Sequence, residues 1–345
     1  MSRPEAPHVS DHVFVIAECG VNHNGSLPLA LELVDCAASA GADAVKFQTF
    51  RPEALVSRTA RKARYQLAAV GGTDTQFEML ESLTLSEADH RALRQRCDTQ
   101  SIEFMSTPFD EQSCDLLERV GVTRFKIGSG DLTHLPLLRH VAAKGRPVIL
   151  STGMATLAEV EAAVDAIREA GDPPLSLLHC VTEYPAPLDQ INLRAMDTLR
   201  RAFGLPVGYS DHTLGPEASI AAVTLGATVI ERHLTLDRAL PGPDHSASSE
   251  PDELRALIAT LRQVQRALGD GIKRPAACEL GNRDVARRSL VATRDLRAGE
   301  RLSPDAVAIK RPATGIQPAD LEKALGRRLA LDVEADTPIT WDMLA

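Results

Sequence analysis

The chain lacks CxxC spacings, long basic blocks and apolar runs long enough to cross a bilayer. Its six cysteines are scattered, and several lie inside apolar runs, which predicts buried reduced thiols. The formal charge of −9, without a basic block, argues against a general nucleic-acid binder or a protein of the membrane surface. The N-terminal segment also lacks the apolar core of a signal peptide. We therefore expect a cytoplasmic protein with a small substrate and no nucleic-acid or membrane partner.

The first three quarters of the chain contain eight short apolar runs: HVFVIAE, AVKFQT, IEFMST, RFKIGS, PVILST, LSLLHCV, VGYSDH and VIERHL. Between most successive runs lie about 15 to 25 residues with helical periodicity, and segments such as LAEVEAAVDAIREAG close in glycine. This alternation predicts a (β/α)8 TIM barrel. Because that fold carries its chemistry where the strands end, the residues that close the runs form one candidate site.

The chain is long enough for one barrel of roughly 250 residues and a small second domain. We predict the barrel over 1–270, a linker over 271–285, where periodicity is lost, and a compact β-rich domain over 286–345. That domain is too small for a large core, so packing on the barrel or on another subunit would complete it. An irregular insertion, roughly 51–82, follows the second strand and is predicted to lie on the catalytic face.

Two histidines stand at the ends of the seventh and eighth strands. Residues two apart on a strand share a face, which pairs Ser210 with His212 and Glu231 with His233. The two strands are neighbours about 4.8 Å apart, so the imidazoles can reach one divalent ion that keeps open coordination positions. The alternative is an ordinary hydrogen-bonded histidine, an interpretation that we also consider for His23, His179 and His245.

Two lysines, Lys46 and Lys126, lie inside otherwise apolar strands of even number, and Gln48 shares the face of Lys46. We expect the ammonium groups to enter the mouth of the barrel from opposite sides and to bind a phosphate or carboxylate. The alternative is pairing with a buried carboxylate such as Glu18, the acid that ends strand one. Asp244 in the loop PGPDHS is either a hydrogen-bond acceptor for substrate or a simple loop acid. Hydroxyls available beside the lysines belong to Thr107, Ser129, Ser151 and Ser210.

These motifs closely resemble those of the sialic acid (N-acetylneuraminate) synthases and their bacterial nonulosonate relatives. The matching segments include IAECGVNHNGS, DAVKFQTF, KIGSGDL, LLHCVTEYPAP, VGYSDHTLG and IERHLTLDRALPGPDHSAS, and the tail resembles the family's antifreeze-like SAF domain. The resemblance implies a transferase that condenses phosphoenolpyruvate with an N-acylated aldose. N-Acetylmannosamine is the expected acceptor, giving N-acetylneuraminate and phosphate. The implied cofactor is a divalent metal, Mn²⁺ first, with Mg²⁺ or Co²⁺ as alternatives.

The resemblance also implies roles for single residues. His212 and His233 would bind the metal. In the mechanism that we expect, Glu18, Glu231 and His233 are catalytic, and either glutamate holds the attacking water or accepts its proton. Family members form domain-swapped homodimers in which an arginine of the SAF domain completes the partner's site, and Arg311 matches it. Phosphoenolpyruvate would contact Lys46, Thr107, Lys126, Ser129, Ser151 and Ser210. The sugar side would include Glu18, Gln48, Tyr184 and Asp244. Thr182, a further substrate-binding residue, stands where some members have Asn and others Ser, and its hydroxyl can donate to a phosphate or carboxylate oxygen.

Three alternatives remain open from the sequence. In the first, the acceptor is a diacetamido sugar that leads to legionaminate or pseudaminate. In the second, the acceptor is a 6-phosphorylated aldose. In the third, the protein binds sugar without catalysing a reaction. The absence of a further Arg/Lys cluster counts against the phosphorylated acceptor, and the intact Glu18, His212 and His233 count against a non-catalytic protein. The hydroxyl of Thr182 can still donate a hydrogen bond, so its identity bears on sugar preference rather than on activity.

Overall fold

The computed structural model of the protein describes residues 12–62, residue 67 and residues 75–345. The chain divides into two compact units, Met1–Gly269 and Asp270–Ala345. No helix in the described part of the chain combines the length and apolar character that crossing a membrane requires.

The first unit is built on eight parallel strands that form one sheet in the order β3-β2-β1-β8-β7-β6-β5-β4. Each predicted run forms a strand, and the curled sheet confirms the predicted (β/α)8 barrel. At one place, β3 and β4 lie side by side without a ladder of main-chain hydrogen bonds, although both strands are fully described. The strands are β1 Phe14–Gly20, β2 Ala44–Thr49, β3 Glu103–Pro108, β4 Phe125–Ile127, β5 Val148–Ser151, β6 Leu175–Cys180, β7 Val207–Asp211 and β8 Val229–His233.

Helices connect successive strands, and local sequence sets their ends. Thr156 and Glu159 form a capping box at the start of one helix, and Gly41 and Gly121 end two others in the left-handed conformation. The helices of this unit are α1 Leu27–Ala40, α2 Pro52–Leu55, α3 Gln76–Ser82, α4 Glu87–Gln100, α5 Glu111–Val120, α6 Leu135–Ala142, α7 Leu157–Ala170, α8 Ala195–Phe203, α9 Glu217–Thr224 and α10 Pro251–Leu268.

The predicted insertion is partly helical rather than wholly irregular. Helices α2 and α3 belong to it, while residues 63–66 and 68–74 lie outside the described residues. The described part packs against the mouth of the barrel and forms a hydrophobic cluster of its own. The buried members of this cluster are Val21, Phe50, Met79, Leu80 and Leu83.

The second unit pairs β9 Ser289–Ala292 with β10 Val307–Lys310 in antiparallel orientation, which confirms a β-rich C-terminal domain. Its buried apolar residues, including Leu290, Leu302 and Ile339, form a separate core. A helix, α11 Leu280–Ala286, lies where the sequence indicated only a linker. All its residues are exposed, so it carries no apolar stripe that would reveal it in the sequence. A short helix, α12 Leu321–Ala324, follows β10.

The cysteines are all free thiols, as predicted, but they are not all buried. Cys278 in the second unit is exposed and Cys36 is half-buried, because the former lies in the exposed segment before α11 and the latter near the surface of α1. The buried thiols are Cys19, Cys97, Cys114 and Cys180.

Candidate active site

A cavity of about 430 Å³ opens at the carboxyl ends of the barrel strands. Every predicted site residue of the first unit lines it, so the strand-end rule located the cavity correctly. These residues are Glu18, Lys46, Gln48, Thr107, Lys126, Ser129, Ser151, Thr182, Tyr184, Ser210, His212, Glu231, His233 and Asp244. Their chemical roles remain predictions.

The cavity floor follows from the two-residue period of the strands. The inward-facing apolar residues Ile16, Ala44, Met105, Ile149, Leu178 and Val229 form a cluster inside the barrel. On each of these strands, the residue two positions further along lines the cavity and is no longer an aliphatic one, as at Glu18, Lys46 and Glu231. The strands therefore raise a ring of polar groups directly above an apolar layer, and the charged members of this ring are buried, so they interact more strongly than they would in bulk water.

The two buried lysines converge on one carboxylate. We had predicted instead that they would enter the mouth of the barrel from opposite sides. Lys46 Nζ lies 2.6 Å from Glu18 Oε2, 3.0 Å from Thr107 Oγ1 and 3.7 Å from Glu231 Oε2. Lys126 Nζ lies 3.5 Å from Glu231 Oε1. The alternative of pairing with Glu18 is therefore confirmed for Lys46. Directions inside a barrel depend on how the sheet curls, which spacing along the chain does not reveal.

The two glutamates differ in their electrostatic environment. Burial raises the pKa of Glu18 above its ordinary value, although Lys46 opposes this effect. Burial would also raise the pKa of Glu231, but Lys126 and Lys46 lower it below its ordinary value. Burial lowers the pKa of the Lys126 ammonium. One carboxylate is thus held ionised between two cations while the other binds a proton more readily.

Glu18 is oriented by its neighbours at the end of β1. Its Oε1 accepts a hydrogen bond of 3.1 Å from Gln48 Nε2. Gly20 adopts a φ of 38°, and a Cβ there would meet Glu18 Oε1 at 2.8 Å and Gln48 Nε2 at 3.0 Å. Glycine at this position therefore leaves room for the hydrogen-bonded pair.

The two histidines meet at the ends of β7 and β8, where His233 pairs with Glu18 in the ladder of β8 and β1. The ring centroids of His212 and His233 are 5.3 Å apart, and Tyr184 stacks on His212 with a centroid separation of 4.1 Å. His233 Nδ1 is 3.8 Å from Asp244 Oδ2, and burial raises the pKa of Asp244 to about 6. Asp244 is therefore a buried cavity acid and not a simple loop acid.

The histidine pair suits a divalent ion with open positions. His212 Nδ1 donates a 2.8 Å hydrogen bond to the carbonyl oxygen of Val181, so in the neutral ring the lone pair is on Nε2. Burial lowers the pKa of His233 well below its ordinary value, so its imidazole is neutral as a ligand must be. Among the described residues no three His, Cys, Asp or Glu side chains form a ready metal cluster, so water and substrate would have to complete the coordination.

Three other histidines are ordinary hydrogen-bonded ones, the interpretation that we considered for them. His179 Nε2 donates to the carbonyl oxygen of Ile191 at 2.7 Å, and His23 Nδ1 accepts from the amide of Gly25 at 3.0 Å. His245 shares a 2.7 Å hydrogen bond with a threonine hydroxyl.

One part of the cavity was missed in the sequence: an apolar wall on the side of the insertion. The spacing of its residues along the sequence does not show that they face the cavity. The only signal was the capping-box sequence TQFE that begins α3. The apolar wall consists of Val21, Leu55, Val56, Met79, Leu80, Leu83 and Phe109.

Arg311 belongs to the second unit and is exposed just after β10. The structure holds a single chain, so the predicted contribution of Arg311 to a partner's site remains a prediction.

Comparison with known proteins identifies the family of the chain. A sequence model of the NeuB family matches residues 33–273, and one of the SAF domain matches residues 287–345. The N,N'-diacetyllegionaminic acid synthase of Legionella pneumophila is 48% identical over 95% of this chain and 94% of its own length. The enzyme of the same name from Campylobacter jejuni is 48% identical over 91% of this chain and 94% of its own.

A solved structure, N-acetylneuraminic acid (sialic acid) synthetase from Leptospira borgpetersenii, covers 82% of this chain and 94% of its own at 35% identity, with a TM-score of 0.70. The fold, the cavity and these relatives agree with one another. The chain therefore belongs to the NeuB family of enzymes, which condense phosphoenolpyruvate with a sugar, and it carries a C-terminal SAF domain.

Proposed function

We propose that this enzyme is an N,N'-diacetyllegionaminate synthase that joins phosphoenolpyruvate to a diacetamido hexose and releases phosphate. Two relatives of that name, each 48% identical over more than nine tenths of this chain, favour this acceptor over N-acetylmannosamine. The observation that carries the reaction class is the convergence of two buried lysines and a histidine pair on one cavity.

The lysine side of the cavity is suited to phosphoenolpyruvate. Lys46 and Lys126 are both almost fully buried, and an incoming phosphate or carboxylate would restore the favourable environment that Lys126 lacks. Ser151 Oγ is buried without a hydrogen-bond partner among the described residues, so it is free to donate to an anionic oxygen. Ser129 Oγ already accepts from the amide of Gly153 at 3.0 Å, which orients its own proton.

Other groups of the cavity lining are suited to an acylated sugar. The polar groups of Gln48, Tyr184 and Asp244 can bind hydroxyl and amide groups, while the apolar wall can cover the methyl groups of acetamido substituents. A diacetamido hexose carries two such methyl groups and N-acetylmannosamine one. The described lining has no cation beyond the two lysines, both of which contact carboxylates, which disfavours a phosphorylated acceptor.

The residues support a stepwise condensation. A divalent ion, Mn²⁺ by our prediction, would supply Lewis acidity toward the aldehyde oxygen when held by His212 and His233. Lys46 and Lys126 hold phosphoenolpyruvate so that its C3 bonds to the aldehyde carbon, leaving positive charge at C2. Ionised Glu231 stabilises that charge, and Glu18, whose pKa is raised, takes a proton from the water that adds to C2. The proton on Glu18 passes to the alkoxide left from the aldehyde, and the tetrahedral carbon expels phosphate by cleavage of its C–O bond while its hydroxyl proton leaves with the phosphate.

The test is a comparison of acceptors with the purified full-length chain, Mn²⁺ and phosphoenolpyruvate. We expect phosphate release and a product of the correct mass, with a higher kcat/KM for the diacetamido hexose than for N-acetylmannosamine or its 6-phosphate. A preference for N-acetylmannosamine would overturn the acceptor, and a required 6-phosphate would favour the phosphorylated alternative. No release with any acceptor would overturn the reaction class.

A further inference from the structure

A buried ion pair lies behind the histidines, on the outer face of the same two strands. Asp211 stands between Ser210 and His212, and Arg232 stands between Glu231 and His233. Because side chains alternate along a strand, both point away from the cavity, and neither lines it. Asp211 Oδ2 and Arg232 Nη1 are 2.8 Å apart, and the two side chains are 0% and 4% exposed.

The pair sits where main-chain pairing between the strands ends. The ladder of β7 and β8 matches Ser210 with Glu231 and then Asp211 with Arg232, which is its last rung. His212 comes immediately after that rung, so no hydrogen bond of this ladder fixes its distance from β8. The carbonyl oxygen of His212 accepts a hydrogen bond of 2.9 Å from the amide of Ala186, so its main chain is held from the β6 side, and on the β8 side the neighbouring contacts are made by side chains.

Asp211 is fully engaged on the β7 side. Its Oδ1 accepts from the amide of Thr213 at 2.9 Å and from the Thr213 hydroxyl at 2.8 Å. Its Oδ2 accepts from Ser219 Oγ at 2.5 Å, in addition to the contact with Arg232. The carboxylate thus fixes the turn that follows His212 as well as the start of α9.

Arg232 makes the corresponding hydrogen bonds on the β8 side. Its Nε donates to Ser249 Oγ at 2.9 Å and its Nη2 donates to the carbonyl oxygen of Leu214 at 2.8 Å. The amide of Ser249 in turn donates to the carbonyl oxygen of His233 at 2.8 Å. The guanidinium therefore connects the loop after β7 with the segment that pairs with the end of β8.

We infer that Asp211 and Arg232 are positioning residues that set the separation of His212 and His233 and thereby the affinity of the site for its divalent ion. A buried ion pair contributes little net stability compared with apolar residues of similar size, but the hydrogen bonds that each partner makes to its own neighbours are directional and fix geometry. Residues behind a metal ligand commonly change metal affinity when they are replaced. This inference rests on the proposed metal role of the two histidines.

The test uses a double variant, Asp211→Asn with Arg232→Gln, so that no single charge is left buried. Binding of Mn²⁺ to the metal-free full-length chain is measured by isothermal titration calorimetry, with thermal unfolding of the same samples. We expect a folded protein whose Kd for Mn²⁺ rises about tenfold or more. Activity at saturating Mn²⁺ should recover to within a few-fold of the original kcat, because the ligands themselves remain.

The matched control removes an ion pair at the other end of the barrel, between Arg124 and Glu103, 2.8 Å apart. The double variant Glu103→Gln with Arg124→Gln should keep the original Kd for Mn²⁺. If the Asp211 double variant does not fold, Ser249→Ala removes only one hydrogen bond of Arg232 and should still raise the Kd several-fold. An unchanged Kd in whichever of the two variants folds would overturn the inference.

Failure of the proposed metal site is recognised separately. If His212→Ala and His233→Ala bind Mn²⁺ as tightly as the original chain, or if the original chain binds none, the metal assignment itself is wrong and the inference falls with it.

Discussion

Of the two cavity lysines, Lys126 has the longer contact with a carboxylate, since its nearest carboxylate oxygen is 3.5 Å away. Burial lowers the pKa of its ammonium group. We predict that Lys126→Met raises the KM for phosphoenolpyruvate about 30-fold, because a hydrogen bond to a charged group contributes about 2 kcal/mol. The KM of the sugar should change little. Steady-state kinetics with each substrate varied in turn measure both values. Lys323→Met, an exposed position on α12, is the matched control, and a rise in the sugar KM alone would contradict the assignment.

His23 predicts part of the acid sensitivity of the enzyme. It is 1% exposed, and burial lowers its pKa to about 4. The unfolded chain therefore binds this proton first as the pH falls below about 6.5, so the free energy of unfolding decreases between pH 6.5 and 4, by about 2 kcal/mol at pH 5.

The variant His23→Asn isolates this effect, because its amide oxygen can still accept from the amide of Gly25. Chemical denaturation at pH 7.5 and pH 5.0 should show that the variant loses about 2 kcal/mol less than the original chain on acidification. Equal losses would mean that other groups cause the sensitivity.

At the scale of elements, helices α2 and α3, together with the residues Val56 and Leu83 that directly follow them, supply most of the apolar wall and therefore predict acceptor selectivity. Val56→Thr keeps the shape of a half-buried wall residue but adds a hydroxyl, whose desolvation against an acyl methyl group costs about 1–3 kcal/mol. We expect a higher KM for the diacetamido hexose with the KM for phosphoenolpyruvate unchanged. The same exchange at exposed Val285 on α11 is the control. If both variants keep the original sugar KM, the wall does not contact the acceptor.

Elements were predictable from sequence to the extent that they repeat a period. The eight strands carry short apolar runs, and the polar groups at their ends follow from the two-residue alternation. Helix α11 was not predictable, because a helix exposed on every side has no apolar stripe. The apolar wall was not predictable either, since the direction of an insertion depends on packing against the barrel mouth.

At the scale of the whole molecule, we propose a domain-swapped homodimer in which Arg311 completes the partner's site. The prediction is complementation in trans. Arg311→Ala and His233→Ala should each be inactive when expressed alone. An equimolar co-expressed mixture should recover about a quarter of the original activity, because half of the dimers are mixed and each mixed dimer contains one intact site of two. Phosphate release measures the recovery. Arg301→Ala, another exposed position of the same domain, is the control and should remain active without mixing. A mixture no more active than its parents would contradict the shared site.

The strand pairing of the barrel is incomplete between β3 and β4, so a bound substrate could connect these two strands. Strands β3 and β4 lack a ladder between them, so each presents an edge with main-chain groups that no neighbouring strand pairs. Thr107 stands on β3 and Lys126 on β4, on either side of that gap. An anion bound to both would bridge the edges, so phosphoenolpyruvate bound as proposed would complete the closure of the barrel. The natural consequence is an ordered reaction in which phosphoenolpyruvate binds first, slows amide hydrogen exchange in β3 and β4, and only then admits the sugar.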